Sequence, residues 1–260
     1  MLPISIGQGV FLFMLIKINH SFYDKLTSTE KQVITFINAN TDKIANMSIR
    51  AVAEQTFSSP ATVSRTIKKC GIDGFAELRY LLSKKNSESE NSIQVNEILK
   101  KSLMEVTNTI EHISIDQILK SIELIKKAPR IYILSRGLTI LVAQEFSLKL
   151  QLLGYNIFQI SDAAIMKKVS ADIKSNELMI IFSISGTTEE LVVSAENAKS
   201  LGAKLITCTC AENSPLVKMA NIPLWGYKHK HTSITTVDVT SRFPLYVLSR
   251  IIIDYLIIKK

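Results

Sequence analysis

The sequence predicts an α/β chain in two parts, an all-α helix-turn-helix domain followed by a doubly wound parallel sheet. Three observations carry this. Thr27, Ser48 and Ser59 each stand where a helix cap is expected, ahead of a short amphipathic pattern. From Arg130 onward, apolar runs of strand length alternate with helical patterns, the rhythm of a parallel sheet covered on both faces. Between these regions residues 83–94 are polar and rich in serine, which reads as a linker. The expected domains are therefore 18–82 and 95–260, with residues 1–17 as an extension.

That extension contains an apolar run, Val10 to Ile16, too short to span a bilayer. No basic residue precedes it and no cleavage site follows, so it is a poor signal peptide. The expectation is that natural translation starts near Met14. The chain has 260 residues, 47% of them hydrophobic, enough for two cores. Its net charge of +8 points weakly to a polyanionic partner. The cysteines are Cys70, Cys208 and Cys210. They show no metal-ligand spacing, and Cys208 and Cys210 alternate with threonines on one side of a strand, as core residues do. A cytosolic, membrane-free protein without metal or cofactor is expected.

Thr27-Ser28-Thr29-Glu30 is a capping box. It opens a helix that buries Val33, Ile34, Phe36 and Ile37, and a polar break follows from Asn38 to Asn46. Ser48 caps a second helix with Ile49, Val52 and Ala53 inward, and Thr56-Phe57-Ser58 is a turn. Ser59 caps a third, with Pro60 at the first helical position, where its missing N–H costs nothing. Val63, Ile67 and Cys70 face inward, and Gly71 stops the helix. Two short helices joined by such a turn form a helix-turn-helix. The outer side of the second carries Ser59, Ala61, Thr62, Ser64, Arg65, Lys68 and Lys69. Short polar groups near its start and cations further on match the division between base-edge and phosphate contacts on double-stranded DNA. Between Ser21 and Lys85, ten cations stand against six acids. A basic helical module with no DNA role has the same spacing.

The run Leu26-Thr27-x-x-Glu30-Lys31, Ser48-Ile49-x-x-Val52-Ala53, Ala61-Thr62-Val63-Ser64-Arg65 and Lys69-Cys70-Gly71-x-x-Gly74-Phe75 resembles the N-terminal domain of the RpiR family of bacterial transcription regulators. Phe57 departs from the glycine common in such turns. Thr66 and Cys70 replace what are commonly Phe and Leu. These changes imply a repacked core.

After the linker a long helix carries Val95, Leu99, Val106, Ile110 and Ile113 on one stripe. Asp116 is expected to cap the next helix, which Pro129 ends. Strands are expected at 130–134, 155–160, 178–182, 204–208 and 222–225, with helices at 141–153, around Met166, after Thr188 and after Ser214. Thr240 or Ser241 is expected to cap a final helix, apolar nearly all round and therefore buried.

The loop Ser183-Ile184-Ser185-Gly186-Thr187-Thr188 sits between a strand and a helix. Gly186 lets the backbone turn and approach a ligand, and the helix start aims free N–H groups and a partial positive charge into the loop. That suits a phosphate ester, although hydroxyls after a strand also serve simply as caps. Neither a nucleotide P-loop nor a G-x-G-x-x-G run is present. Ser135-Arg136-Gly137-Leu138-Thr139 closes another strand, and ligands in parallel sheets bind beyond the carboxyl ends of strands.

Ser183, Ser185, Gly186 and Thr188 match the S-x-S-G-x-T motif of the sugar isomerase (SIS) domain, so the sheet resembles a doubly wound SIS domain. The resemblance implies that this loop, with Thr187, wraps the phosphate of a phosphorylated sugar. It also implies that Thr139 keeps the ligand hydroxyl of a first loop in which Ser135 replaces a glycine. There Gly137 keeps the turn and Arg136 adds a cation. The RpiR family pairs the two domains in this order. The expected function is a DNA-binding regulator, a homodimer or dimer of dimers, whose SIS domain senses a sugar phosphate. The alternatives are an aldose–ketose isomerase, with Glu189 or Glu190 as base, and a regulator whose SIS domain only dimerises. No isomerase histidine segment is recognisable, and the helix-turn-helix has no purpose in a plain isomerase, so no catalytic residues are expected. His229 and His231 lie in a basic loop and read as solvated.

Overall fold

The structure, a computed structural model, describes residues 25–85, 90–229 and 232–259. The expected extension and His231 lie outside them. The chain forms two compact units divided between Leu103 and Met104.

The first unit begins with α1 (Ser28–Ala39), α2 (Thr41–Ile44) and α3 (Ile49–Gln55), followed by α4 (Pro60–Lys69) and α5 (Phe75–Lys85); the first half of α6 (Glu90–His112) completes it. Residues 83–85 finish α5 and residues 90–94 open α6, so the described parts of the expected linker are helical. The capping box forms as its residues require. Thr27 N donates to Glu30 Oε2 at 3.0 Å, and Glu30 N donates to Thr27 Oγ1 at 3.3 Å. Ser48 and Ser59 accept from the N–H groups of Ala51 and Thr62, each at 3.1 Å. The polar break at 38–46 contains a short helix instead, because Ile44 is fully buried and draws that segment onto the core. Val33, Ile37, Ile44, Val52, Val63 and Ile67 share that core with Phe75, Leu78 and Leu82.

Phe57 adopts φ 47, in the left-handed region, which explains why glycine suits this turn. It is 89% exposed, so it touches no part of the core it was expected to alter. Thr66 does, fully buried with its hydroxyl on the Thr62 carbonyl at 2.8 Å. Cys70 is half-buried against the same core, and burial pushes its thiol up to about 11.

The second unit holds the rest of α6, α7 (Ile115–Lys127), and a five-stranded sheet of β1 (Ile131–Ser135), β2 (Ile157–Ile160), β3 (Leu178–Ser183), β4 (Lys204–Thr209) and β5 (Ile222–Trp225). A 3₁₀ turn at Gly137–Thr139 leads into α8 (Ile140–Leu152); α9 (Ala163–Ala171), α10 (Glu189–Ser200) and α11 (Pro215–Met219) follow their strands. A hairpin of β6 (Ser233–Ile234) and β7 (Val237–Asp238) precedes α12 (Phe243–Ile258). The strand order is β2-β1-β3-β4-β5, every neighbour parallel. Ser114 caps α7, and Asp116 falls in its first turn, where an acid favours the dipole without capping. Arg242, not Thr240 or Ser241, is the N-cap residue of α12, although Ser241 Oγ accepts from Phe243 N at 3.3 Å. Thr240 instead accepts from Thr232 N at 3.0 Å, which holds the base of the hairpin.

Two apolar layers sandwich the sheet. Ile131, Ile133, Ile180 and Phe182 face one, with Cys208 and Cys210; Tyr132, Leu134, Met179 and Ile181 face the other. The second half of α6 is tied down by polar groups. Glu105 and Thr109 are buried and accept from the N–H groups of His229 and Tyr227, at 3.1 and 3.0 Å. Trp225 packs edge-on against His112, ring centres 5.2 Å apart. Meanwhile Val95, Leu99 and Ile110, three of the stripe residues on α6, are exposed. Among the described residues no helix is long and apolar enough to cross a membrane.

Lys69 Nζ donates to Glu30 Oε1 at 2.6 Å, joining the end of α4 to the start of α1. That bond, then the Thr27 N–H, holds the Glu30 carboxyl below its ordinary 4.5. A lowered carboxylate contributes stability above its ordinary pKa and loses it as pH falls through the lowered value. Glu30→Gln should therefore cost about 1 kcal/mol near neutrality, at the low end for charge-assisted bonds because Lys69 is half exposed. It should also flatten the loss of stability below about pH 4.5. Denaturant unfolding at about pH 7 and about pH 3.5 measures both, and equal losses at the two would contradict the assignment.

Candidate functional site: a hydroxyl-lined cleft at the strand switch

The order of the sheet reverses between β1 and β3, so the chain leaves their carboxyl ends in opposite directions and a crevice opens there. A cleft of ≈ 230 Å³ occupies it. Arg136, Gly137, Leu138 and Thr139 line it from the loop after β1; Ser183, Ile184, Ser185 and Thr188 line it from the loop after β3. Six of the eight expected effector residues thus share one cavity.

Gly186 and Thr187 shape the loop from behind. Gly186 adopts φ 65, and a Cβ there would meet Ser214 Oγ at 2.2 Å, so its close approach is to the cap of α11. Its N–H donates to Ser183 Oγ at 3.0 Å. The N–H and hydroxyl of Thr187 donate to Ser185 Oγ at 3.3 and 3.0 Å. Both serine oxygens are therefore used as acceptors by the loop itself, and each keeps its O–H proton for another acceptor.

Helix starts divide cleanly in this unit. Ser114, Asp162 and Ser214 cap α7, α9 and α11 with their side chains. The N-cap residues of α8, α10 and α12 are Thr139, Thr188 and Arg242, and none makes a side-chain cap. All three of these residues line the cleft. The Thr188 hydroxyl is thus not a cap, the plain alternative for the hydroxyls of its loop, and neither is that of Thr139. Pro244 and the bond to Ser241 remove donors at α12, and at α8 the Ile140 N–H is taken by the Gly137 and Leu138 carbonyls of the 3₁₀ turn, so the least engaged of the three starts is that of α10.

Ser135 does not line the cleft. It ends β1 fully buried, and its Oγ has no partner among the described residues. Arg136 braces the two loops, Nη1 donating to the Ser161 carbonyl at 2.6 Å and Nη2 lying 3.4 Å from Glu190. Glu190 is thereby engaged in an ion pair, and Glu189 is exposed in the first turn of α10. Phe182 and Leu191 add apolar surface; Val237, Asp238 and Arg242 form a further wall, and no signal in the sequence brought them to this place. No cluster of ligating side chains suited to a metal occurs among the described residues. Cys210 is buried beside this region, its thiol pushed up to about 12 by desolvation.

On the first unit, α3, the turn at 56–59 and α4 form the helix-turn-helix. Ala61, Arg65, Lys68 and Lys69 are exposed, and Thr62 and Ser64 are half-buried. Ser59 and Thr62 hydroxyls bond each other at 2.9 Å. Lys69 is drawn to Glu30, and Lys68 lies 3.7 Å from Asp73.

The model of the helix-turn-helix domain of the rpiR family matches residues 13–89, and the SIS-domain model matches residues 124–248. The chain carries the domain pair of the RpiR family. An uncharacterized HTH-type transcriptional regulator of Clostridium perfringens is 28% identical over 234 residues, 85% of this chain and 84% of that protein. The fold is shared with the Vibrio vulnificus NanR protein, solved in complex with ManNAc-6P (TM-score 0.59, 19% identity, 92% of this chain and 89% of that one). It is also shared with the sugar isomerase domain of an RpiR transcription factor from Sphaerobacter thermophilus (TM-score 0.57, 16% identity, 63% and 89%). The architecture of this chain is that of a DNA-binding transcription regulator.

Gly186→Ala tests the loop. Positive φ and the encounter with Ser214 together should cost about 2–4 kcal/mol. Chemical denaturation of the second unit reads it, and a loss under about 0.5 kcal/mol would mean that the loop relaxes freely.

Proposed function

We propose that this chain binds an operator through α4 and that a phosphorylated sugar in the cleft changes that binding. One observation carries the effector: in the second unit the α-helix starts without side-chain caps are those at the cleft, and hydroxyl residues Ser183, Ser185, Thr139 and Thr188 line the same space. A phosphate accepts from N–H groups at the start of α10 and from serine O–H protons, and it meets the positive ends of α8 and α10. The ManNAc-6P bound to the NanR relative is a ligand of this chemical kind. Arg65 and Lys68 on the exposed side of α4 are the cations best placed for DNA, since the pair of Lys68 with Asp73 is long and solvent-exposed whereas Lys69 is held at 2.6 Å by the largely buried Glu30. The exposed residues Val95, Leu99 and Ile110 of α6 favour pairing with a second copy, so that two half-sites are read together.

The isomerase reading finds less support. Asp238 is the one carboxylate lining the cleft among the described residues, and Arg242 holds it. Turnover of a sugar phosphate at an ordinary enzymatic rate would overturn the regulator reading of the SIS domain.

For the operator, Arg65→Ala should lose about 1–3 kcal/mol on specific DNA, while Lys68→Ala weakens all sequences alike and lowers the salt slope by about one. Gel shifts on the gene's upstream region at several salt concentrations measure both. Unchanged affinity in both variants would move the DNA surface elsewhere, and a monomer by light scattering would remove the paired half-sites.

For the effector, Ser185→Ala should weaken sugar-phosphate binding by about 1.5–3 kcal/mol, the range for hydrogen bonds to charged groups. DNA binding without effector should persist, and only the response to effector should fade. Isothermal titration and gel shifts on the same preparation distinguish the two losses. Equal sensitivity of both would contradict a separate effector site.

A further inference from the structure

The phosphate end of the cleft leaves one wall without a task, that of Val237, Asp238 and Arg242. Arg242 is held from behind. Its Nη1 donates to the Thr240 carbonyl, and its Nη2 lies 3.3 Å from Asp238 Oδ2. Its Nε is buried with no partner among the described residues, and the side chain is 11% exposed. Asp238 is fixed in turn, its Oδ1 accepting from Thr240 N at 2.9 Å. Hairpin and α12 therefore present a pre-set ion pair to the cavity.

Such a pair offers donors and acceptors side by side with almost no net charge. Neighbouring sugar hydroxyls, each both donor and acceptor, match it. An arginine without a carboxylate partner would instead select a second anion, since paired contacts to carboxylate or phosphate are the strongest it makes. The other arginine of the cleft, Arg136, is likewise paired, with Glu190. Space sets a further limit. At ≈ 230 Å³ the cleft is below the roughly 300–1,000 Å³ of pockets that enclose drug-sized ligands. One sugar ring or a short open chain fits such a volume, and a nucleotide sugar exceeds it.

Resting on the effector reading above, we infer that Asp238 and Arg242 determine specificity. They read the hydroxyls of a monosaccharide monophosphate and disfavour phosphosugars that carry a second anionic group.

The test uses the full chain and calorimetric titration with inorganic phosphate, glucose 6-phosphate, fructose 6-phosphate, N-acetylmannosamine 6-phosphate, 6-phosphogluconate and fructose 1,6-bisphosphate. At least one monophosphate sugar should bind tenfold or more tightly than inorganic phosphate and outrank both doubly anionic ligands. Asp238→Asn leaves Arg242 uncompensated. The ratio of affinities, best monophosphate over 6-phosphogluconate, should then fall tenfold or more. Arg242→Gln removes the cation, so affinity for the monophosphate should fall tenfold with no gain for 6-phosphogluconate. A merely structural role would lower all ligands together and leave the ratios unchanged, which overturns the inference. So does a wild-type chain that binds 6-phosphogluconate or the bisphosphate best. If sugar phosphates bind and both variants keep the ranking, this inference falls and the effector reading stands. If the wild type binds nothing in the panel, inorganic phosphate included, both fall.

Discussion

The second unit depends on β1 lying beside β3. The pairing runs from Ile131 opposite Leu178 to Ser135 opposite Phe182, and every residue of both strands is buried. Strands covered on both faces are apolar throughout, because neither face meets water. Alternate residues feed the two layers, so Phe182 reaches Phe146 across 5.3 Å in one while Ile181 packs in the other. Since the order reverses at this pair, the two following loops part and leave the crevice between them. A shift of one residue in this register would exchange the two layers and move Ser183 away from the cleft.

The first unit is ordered differently, by short-range caps and one long-range bond. Glu30 closes the capping box of α1 and accepts from Lys69 at the end of α4. The helix proposed to meet DNA is thus referenced to the first helix by a largely buried carboxylate. Asn96 plays a comparable part at the start of α6, accepting from Arg79 at 2.6 Å. Buried polar groups with defined partners admit one arrangement where an apolar contact tolerates several.

Much of this was legible in the sequence because it is local. Capping by Thr27, Ser48, Ser59 and Ser214 involves residues three apart, and strands buried on both faces announce themselves as unbroken apolar runs. The loop from Ser183 to Thr188 was readable for the same reason. The features without a local signature depend on distant partners. Arg242 lies 54 or more residues from Thr188 and is preceded by a hairpin too short to show a period. That Gly186 also leaves room for Ser214 shows only in the fold, because the two residues are 28 apart in the chain. The short helix at Thr41–Ile44 has no amphipathic pattern and exists because Ile44 needs burial. Phe57 kept the turn of a glycine in a residue that ordinarily avoids it, which no local rule predicts.

Trp225 is the single tryptophan of the chain. It ends β5, with His112 and Tyr227 edge-on to its ring, within the second unit. Intrinsic indole emission therefore watches one unit and is blind to the other. A melting curve followed by that light describes the sheet unit alone, and the helix-turn-helix could be folded or unfolded without altering it. Its neighbours also hold an imidazole edge-on to the fluorophore, so the light reports the packing of α6 on the end of β5 as well as the folding of the sheet.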